Sequence, residues 1–251
     1  MENVTTAMRH APQAVTCIHD RGLGDRGSLI SSSPLFAGLA IPDCIRIGSA
    51  ANVRFFDRDT FLFMQGEPGR NLMLIQSGIV KLTQVSSSGN EVILGMGGAR
   101  EPIGILFDPL ELGSRYTCSA QAMEKVCVII WNYDRLRIFL EQYPRIRANM
   151  NAILLARLEE LQERFREIAT ERVAKRLALA LLRLMKQVGK PHQAGVQVAL
   201  SRQELAQLVG TTLFTISRIL SKWKEDGVVL ARREAVVVRN PNYLQNHPDL
   251  D

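Results

Sequence analysis

Between Pro144 and Gly189 the chain contains neither glycine nor proline, so no residue in that stretch forbids a continuous helix. Leu154, Leu158, Leu161, Phe165 and Ile168 recur there at spacings of four, three, four and three. That is a narrow apolar seam, and Arg157, Glu159, Glu160, Glu163, Arg164, Arg166 and Glu167 surround it. Such a helix can pack on its own domain. Charge on every other side favours pairing with an identical helix instead, so these five apolar residues are the candidate dimerisation set. Val173 to Val188 read as a further amphipathic helix, and Gly189-Lys190-Pro191-His192 then breaks the chain.

The residues before the long helix follow a different period. From Pro34 to about Asn132, short β-type runs alternate with turn residues. Phe61-Leu62-Phe63-Met64 leads into Gln65-Gly66-Glu67-Pro68-Gly69, and Leu72-Met73-Leu74-Ile75 ends at Gln76-Ser77-Gly78. Val80 to Val85 stops at Ser86-Ser87-Ser88-Gly89, and Val126 to Trp131 is a continuous apolar strand. Regular short strands with glycine-centred turns predict a β-barrel or jelly roll. Residues 1–30, with the glycine-rich and charged run DRGLGDRGS, read as a flexible tail. The expected division is therefore 1–30 tail, 31–132 β-domain, 133–169 dimerisation helix and 170–251 a C-terminal module, in an α+β chain.

Charge separates the C-terminal module from the rest. Residues 1–169 carry 18 Lys+Arg against 18 Asp+Glu, whereas residues 170–251 carry 13 against 7, which is the whole net charge of +6. A basic module of this kind suits a phosphate backbone, although a solvated basic surface alone would look the same. The 251 residues suggest two modest domains. No apolar run is long enough to span a bilayer and no secretory leader is legible, so the expected location is the cytoplasm, with no membrane partner. Cys17, Cys44, Cys118 and Cys127 are scattered without C-x-x-C spacing and read as free thiols of a reducing compartment.

The module has a legible internal plan. Ser201-Arg202-Gln203-Glu204 is a capping box that starts a short helix with Leu205, Leu208 and Val209 on its buried face. Gly210 makes a turn, and Thr211 or Thr212 caps a second helix through Ile216, Ile219, Leu220 and Trp223 to Gly227. Two short helices about three residues apart, the second with a polar N-terminal face, form a helix-turn-helix. Val228-Val229-Leu230 and Val236-Val237-Val238 then give two β-runs with Arg232 and Arg233 between them, as in a basic wing. The candidate DNA-contacting residues are Ser201, Arg202, Gln203, Thr211, Thr212, Leu213, Phe214, Ser217, Arg218, Lys222, Arg232 and Arg233.

Leu200 to Leu220, LSRQELAQLVGTTLFTISRIL, resembles the DNA-binding signature of the Crp/Fnr regulators. SPLFAGL (Ser33 to Leu39), FMQGEPGRNLMLIQSGIVKL (Phe63 to Leu82) and Gly104 resemble the same family independently, in one collinear order. The resemblance implies a cyclic-nucleotide-binding-type β-jelly roll, a dimer helix and a winged helix-turn-helix. It also implies a homodimer on an inverted-repeat duplex, with RNA polymerase as a partner. Arg218 matches the family arginine that reads guanine by bidentate contact with O6 and N7. Phe214 stands where a glutamate is usual, so the operator is expected to depart from the family pattern through contact with a thymine methyl. Packing of Phe214 on the wing is the other reading.

The sensor pocket, expected around Gly104, Ile105, Tyr116 and Thr117, also departs from the family. The cyclic-AMP resemblance implies a glutamate after Gly104 and an arginine before a serine or threonine. Ile105 and Tyr116 stand in those places, and Arg115, one residue off, is expected to face the other way along a strand. This reading is against cyclic AMP, since no guanidinium is left for the phosphate, and expects a less polar pocket. It is equally against an iron–sulfur cluster, because only Cys17 lies in the tail where ligands would gather. Cys44, Cys118 and Cys127 read as small apolar residues, with Cys118 as a possible redox thiol. His10, His19, His192 and His247 lie in tails or a linker, so no haem ligand or metal site stands out, and the effector stays open. A cupin-type enzyme would need clustered histidines, and the β-region has none. The alternative to a regulator is a dimeric small-ligand or redox sensor whose DNA binding is weak or lost.

Overall fold

The computed structural model describes residues 23–104, 106 and 115–246. Cys17, His10, His19, His247 and Ile105 lie outside them.

The chain begins with α1 (Leu23–Ser31), a 3-10 turn at Pro34–Phe36 and α2 (Ile41–Ser49). Part of the stretch expected to be a loose tail is therefore helical. Gly27 permits this packing, because a Cβ there would lie 2.4 Å from the Ile45 side chain. The close approach buries Ile30 completely, and the apolar contact offsets the poor helix propensity of the two glycines.

Eight strands follow. They are β1 (Asn52–Phe56), β2 (Phe61–Phe63), β3 (Asn71–Ser77), β4 (Val80–Val85), β5 (Glu91–Gly97), β6 (Pro102–Gly104), β7 (Ser119–Ala122) and β8 (Val126–Asn132). They form two four-stranded sheets in the orders β1-β8-β3-β6 and β2-β7-β4-β5, so the jelly roll is present. Strand β3 shares a sheet with β8 and β4 lies in the other, so both inner faces contribute to one core. Trp131 is fully buried there; its indole N–H donates to Ile47 O at 2.9 Å and so ties the helical entry to the barrel.

Beyond the barrel, α3 (Tyr133–Gln142) leads into α4 (Pro144–Thr170), the long helix that the absence of glycine and proline predicts. Proline at the first helical position costs it no intrahelical hydrogen bond. Glu171-Arg172 separate α4 from α5 (Val173–Gln187). The two helices are clamped by buried Glu167, which accepts from Arg183 Nη1 and Nη2 at 2.5 and 2.9 Å.

The C-terminal module contains β9 (Lys190–His192), β10 (Gly195–Val198), α6 (Arg202–Val209), α7 (Leu213–Glu225), β11 (Val229–Ala231), β12 (Val236–Val238) and α8 (Pro241–Asn246). Its four strands make one sheet in the order β11-β12-β10-β9. Ile79, Ile93 and Met96 from the barrel pack into the core of this module beside Leu177, Leu181, Leu205 and Leu220. The second core therefore crosses the boundary that composition suggests.

Candidate DNA-binding surface and sensor pocket

Ser201 caps α6 as the sequence predicts. Its hydroxyl accepts from Glu204 N at 3.2 Å, and Glu204 Oε2 accepts from Ser201 N at 2.9 Å. The sequence did not reveal a third role for Glu204, whose Oε1 accepts from Lys81 Nζ of β4 at 3.1 Å in a largely buried ion pair. Burial works to raise the Glu204 carboxyl, but the Ser201 N–H and hydroxyl and the Lys81 ammonium outweigh it and hold the group below its ordinary range. Gly210 ends α6 at φ +71°, a left-handed cap that suits glycine.

Thr212 caps α7, its hydroxyl oxygen accepting from Thr215 N at 3.2 Å. Ile216, Leu220 and Trp223 are buried against the module, which turns the opposite face of α7 outward. On that face Leu213 and Phe214 are 47% and 77% exposed, and Arg218 and Lys222 are exposed with them. Phe214 therefore does not pack on the wing. Ser217 and Thr211 are half-buried, and Gln203 is exposed. Arg202 is half-buried, and its Nε is buried without a hydrogen-bond partner.

The wing forms as expected: β11 pairs with β12 in the register Val229↔Val238, and Arg232 and Arg233 stand exposed at the turn. Arg232 Nη2 lies 3.2 Å from His192 Nε2, and the neighbouring Glu234 pairs with Arg58 of the barrel at 3.2 Å.

The long helix has two distinct faces. Ile146, Met150, Ile153, Leu154, Arg157 and Arg164 turn toward the chain's own domains, with Arg164 donating to Leu94 O and to Ile93 O. Leu155, Leu158, Leu161, Phe165 and Ile168 form an exposed apolar line, with Phe165 73% exposed. Leu154 is thus a correction to the expected seam: it is half-buried on the barrel, and Leu155 extends the outer line instead. A spacing of four or three fits both faces, and only the position of the barrel separates them.

A cavity of about 130 Å³ opens between the barrel and α4. Phe63, Leu82, Ile103, Leu106 and Leu154 give it apolar walls, and Gly104, Arg115, Tyr116, Thr117, Cys118 and Arg157 complete the lining. Three of the four expected pocket residues are therefore together. Gly104, at φ +91°, has no room for a side chain, since a Cβ would lie 2.5 Å from Asn71 O. Tyr116 is buried, stacks on Phe63 with ring centroids 4.1 Å apart, and its hydroxyl lies 3.3 Å from Asn71 N.

Two expectations about the pocket need correction. Arg115 does not turn away, because only an isolated bridge to Pro68 forms there and strand alternation does not apply; its Nη1 donates to Gly66 O at 2.6 Å on the cavity wall. Nor does the pocket lack a guanidinium, since α4 supplies Arg157. Burial pushes the Arg157 guanidinium down from its ordinary value and the Cys118 thiol up, the reverse of an activated thiolate. Cys44 and Cys127 are buried, as small apolar residues would be. Among the described residues no group of three or more His, Cys, Asp or Glu is placed to hold a metal ion.

Comparisons with known proteins match both halves. The family model of the Crp-like helix-turn-helix domain covers residues 175–247, and that of the cyclic nucleotide-binding domain covers residues 53–143. The chain is 30% identical over 216 residues to the cyclic AMP receptor protein of Thermus thermophilus, covering 86% of this chain and 97% of that one. It is 29% identical over 193 residues to a CRP-like cAMP-activated global transcriptional regulator of Mycobacterium tuberculosis, covering 75% and 84%. Among solved structures, the c-di-GMP responsive global regulator CLP of Xanthomonas campestris superposes with a TM-score of 0.67 at 27% identity, covering 78% of this chain and 97% of that one. With the barrel, the long helix and the winged module in the same order, the chain belongs to the Crp/Fnr family of DNA-binding transcriptional regulators.

Proposed function

We propose that the protein works in the cytoplasm as a homodimer on an inverted-repeat operator, without control by cyclic AMP. The observation that carries this reading is the outward face of α7, where Leu213, Phe214, Arg218 and Lys222 are exposed, as are the wing arginines Arg232 and Arg233. Arg218 specifies a guanine in each half-site, while Phe214 and Leu213 favour thymine through its methyl group. Gln203, Thr211 and Thr212 flank the duplex, and Arg232 and Arg233 bind phosphates without reading sequence. Ser201 acts by holding its helix. The exposed line from Leu155 to Ile168 pairs two copies, and half-sites about one helical turn apart match the twofold axis. RNA polymerase is the further partner expected of this family.

Independence from cyclic AMP is supported by the small cavity and by the Tyr116 ring stacked on Phe63, where a phosphate-binding arginine would be needed. In the test, bound sequences are selected from a random duplex pool. An enriched inverted repeat with a guanine in each half is expected; no enrichment over input would overturn the reading. Cyclic AMP at millimolar concentration should leave thermal stability unchanged. A ligand bound only to the native state, far above its dissociation constant, would add about 2–4 kcal/mol.

A further inference from the structure

His192 and Arg232 belong to opposite edges of the C-terminal sheet: His192 ends β9, and Arg232 follows β11 at the wing turn. Their side chains meet, with Arg232 Nη2 3.2 Å from His192 Nε2. The other ring nitrogen fixes what this approach can be. Ala194 N–H donates to His192 Nδ1 at 3.0 Å, so Nδ1 carries no proton. The one proton of the neutral ring is then on Nε2. A guanidinium nitrogen also only donates. The two groups therefore cannot hydrogen-bond each other; they are two N–H donors brought side by side, an arrangement that suits one oxygen accepting from both. The nearby carboxylates are engaged elsewhere. Glu234 of the wing pairs with Arg58 at 3.2 Å, and Glu124 of the barrel pairs with Lys190 at 2.5 Å. Among the described residues no carboxylate lies within ion-pair distance of Arg232, which is exposed, while His192 is half-buried.

We propose that His192 is a further DNA-binding residue, whose Nε2–H joins the Arg232 guanidinium in holding one phosphodiester oxygen of the duplex backbone. This rests on the regulator reading above and deepens it, because β9 lies outside both the helix-turn-helix and the wing. A phosphate oxygen accepts from several donors at once and supplies the negative charge that pairs with Arg232. The contact positions the duplex and reads no base. His192 adds a hydrogen bond without a charge, so it releases no counterion on binding, whereas Arg232 does.

The test measures binding of the full chain to the selected inverted repeat and to random duplex across a salt series. Asparagine puts an acceptor near the place of Nδ1, and glutamine puts a donor near that of Nε2. His192→Asn should keep the Ala194 bond and the melting temperature, yet bind both duplexes about three- to tenfold more weakly with an unchanged salt slope. His192→Gln should restore most of the affinity. Single neutral methylphosphonates, scanned along the backbone, should erase the effect of His192→Asn at one position per half-site, the same one at which Arg232→Ala loses its effect. Glutamine binding no better than asparagine would overturn the proposal, because His192 would then only support the turn between β9 and β10. Wild-type affinity in both variants would also overturn it and leave the donor pair to a protein carboxylate. So would a scan in which the two residues answer to different positions. Should a variant not fold, the wild type still decides: the His192 ring nitrogen signals should shift on binding random duplex, and signals that stay would overturn the proposal. A chain that shows these differences yet enriches no inverted repeat would overturn the regulator reading alone.

Discussion

Glu101 and Glu204 are two carboxylates that couple stability to pH with opposite signs. Burial is the main cause that pushes Glu101 up from an ordinary value of 4.5 to about 7; Arg157 and the Gly98 N–H pull it down, and Glu160 adds to the rise. The folded chain therefore holds a proton on Glu101 that the unfolded chain gives up. This contribution is fully present below about pH 4.5 and is lost as pH rises through 7. Glu101→Gln should make the protein more stable at pH 8 by up to ~3 kcal/mol and change little at pH 4, as read from denaturant midpoints at both pH values. Glu204 is held below its ordinary range, so what it adds is present at neutral pH and fades on acidification. Glu204→Gln leaves the Lys81 ammonium half-paired and weakens a cap, and should cost ~1–3 kcal/mol at pH 7. Sequence shows Glu204 as a cap because its partner is three residues away. Its bond to Lys81 spans 123 residues and could not be read from spacing.

The elements were legible to the extent that their periods are local. The long helix, the helix-turn-helix and the wing follow from glycine and proline placement, capping residues and apolar spacing. Strands β1, β5, β6, β7, β9 and β10 have no such signal; β6, β7, β9 and β10 are only three or four residues long, β5 carries Gly95 and Gly97, and β1 has no buried residue to mark its alternation. On α4 the apolar spacing gives the exposed line from Leu158 to Ile168 but misplaces its N-terminal end. Ile153, Leu154 and Leu155 are consecutive apolar residues, and only the barrel decides which of them it covers. Replacing Leu158 and Leu161 by glutamate should give monomers by sedimentation, since uncompensated charges would meet across the pairing face. Operator binding should fall with it, because two linked half-sites bind far better than one. Dimers that persist would mean that α4 is not the pairing surface.

For the whole molecule, the +6 charge concentrated after residue 170 sits on a module that touches the barrel at several points. Lys190 pairs with Glu124 at 2.5 Å, Gln207 with Glu91 at 3.1 Å, and Glu234 with Arg58 at 3.2 Å. The Lys81–Glu204 pair and the shared apolar core complete that contact, which neither charge counts nor periodicity could reveal. The sensor pocket was legible only in outline, because Arg157 enters it from a helix whose sequence suggests a purely external charge. In the wing, Arg232→Ala and Arg233→Ala should weaken binding to all duplexes alike and reduce the salt slope by about one. The recognition helix should behave differently. Equilibrium binding of wild type and Arg218→Ala is measured on the selected inverted repeat and on random duplex at one salt concentration. Arg218→Ala should lose roughly 1–3 kcal/mol on the repeat, with relaxed preference at one base pair per half-site and little change on random DNA. Equal losses on both would contradict it, because Arg218 would then be a phosphate contact and α7 would not read the sequence.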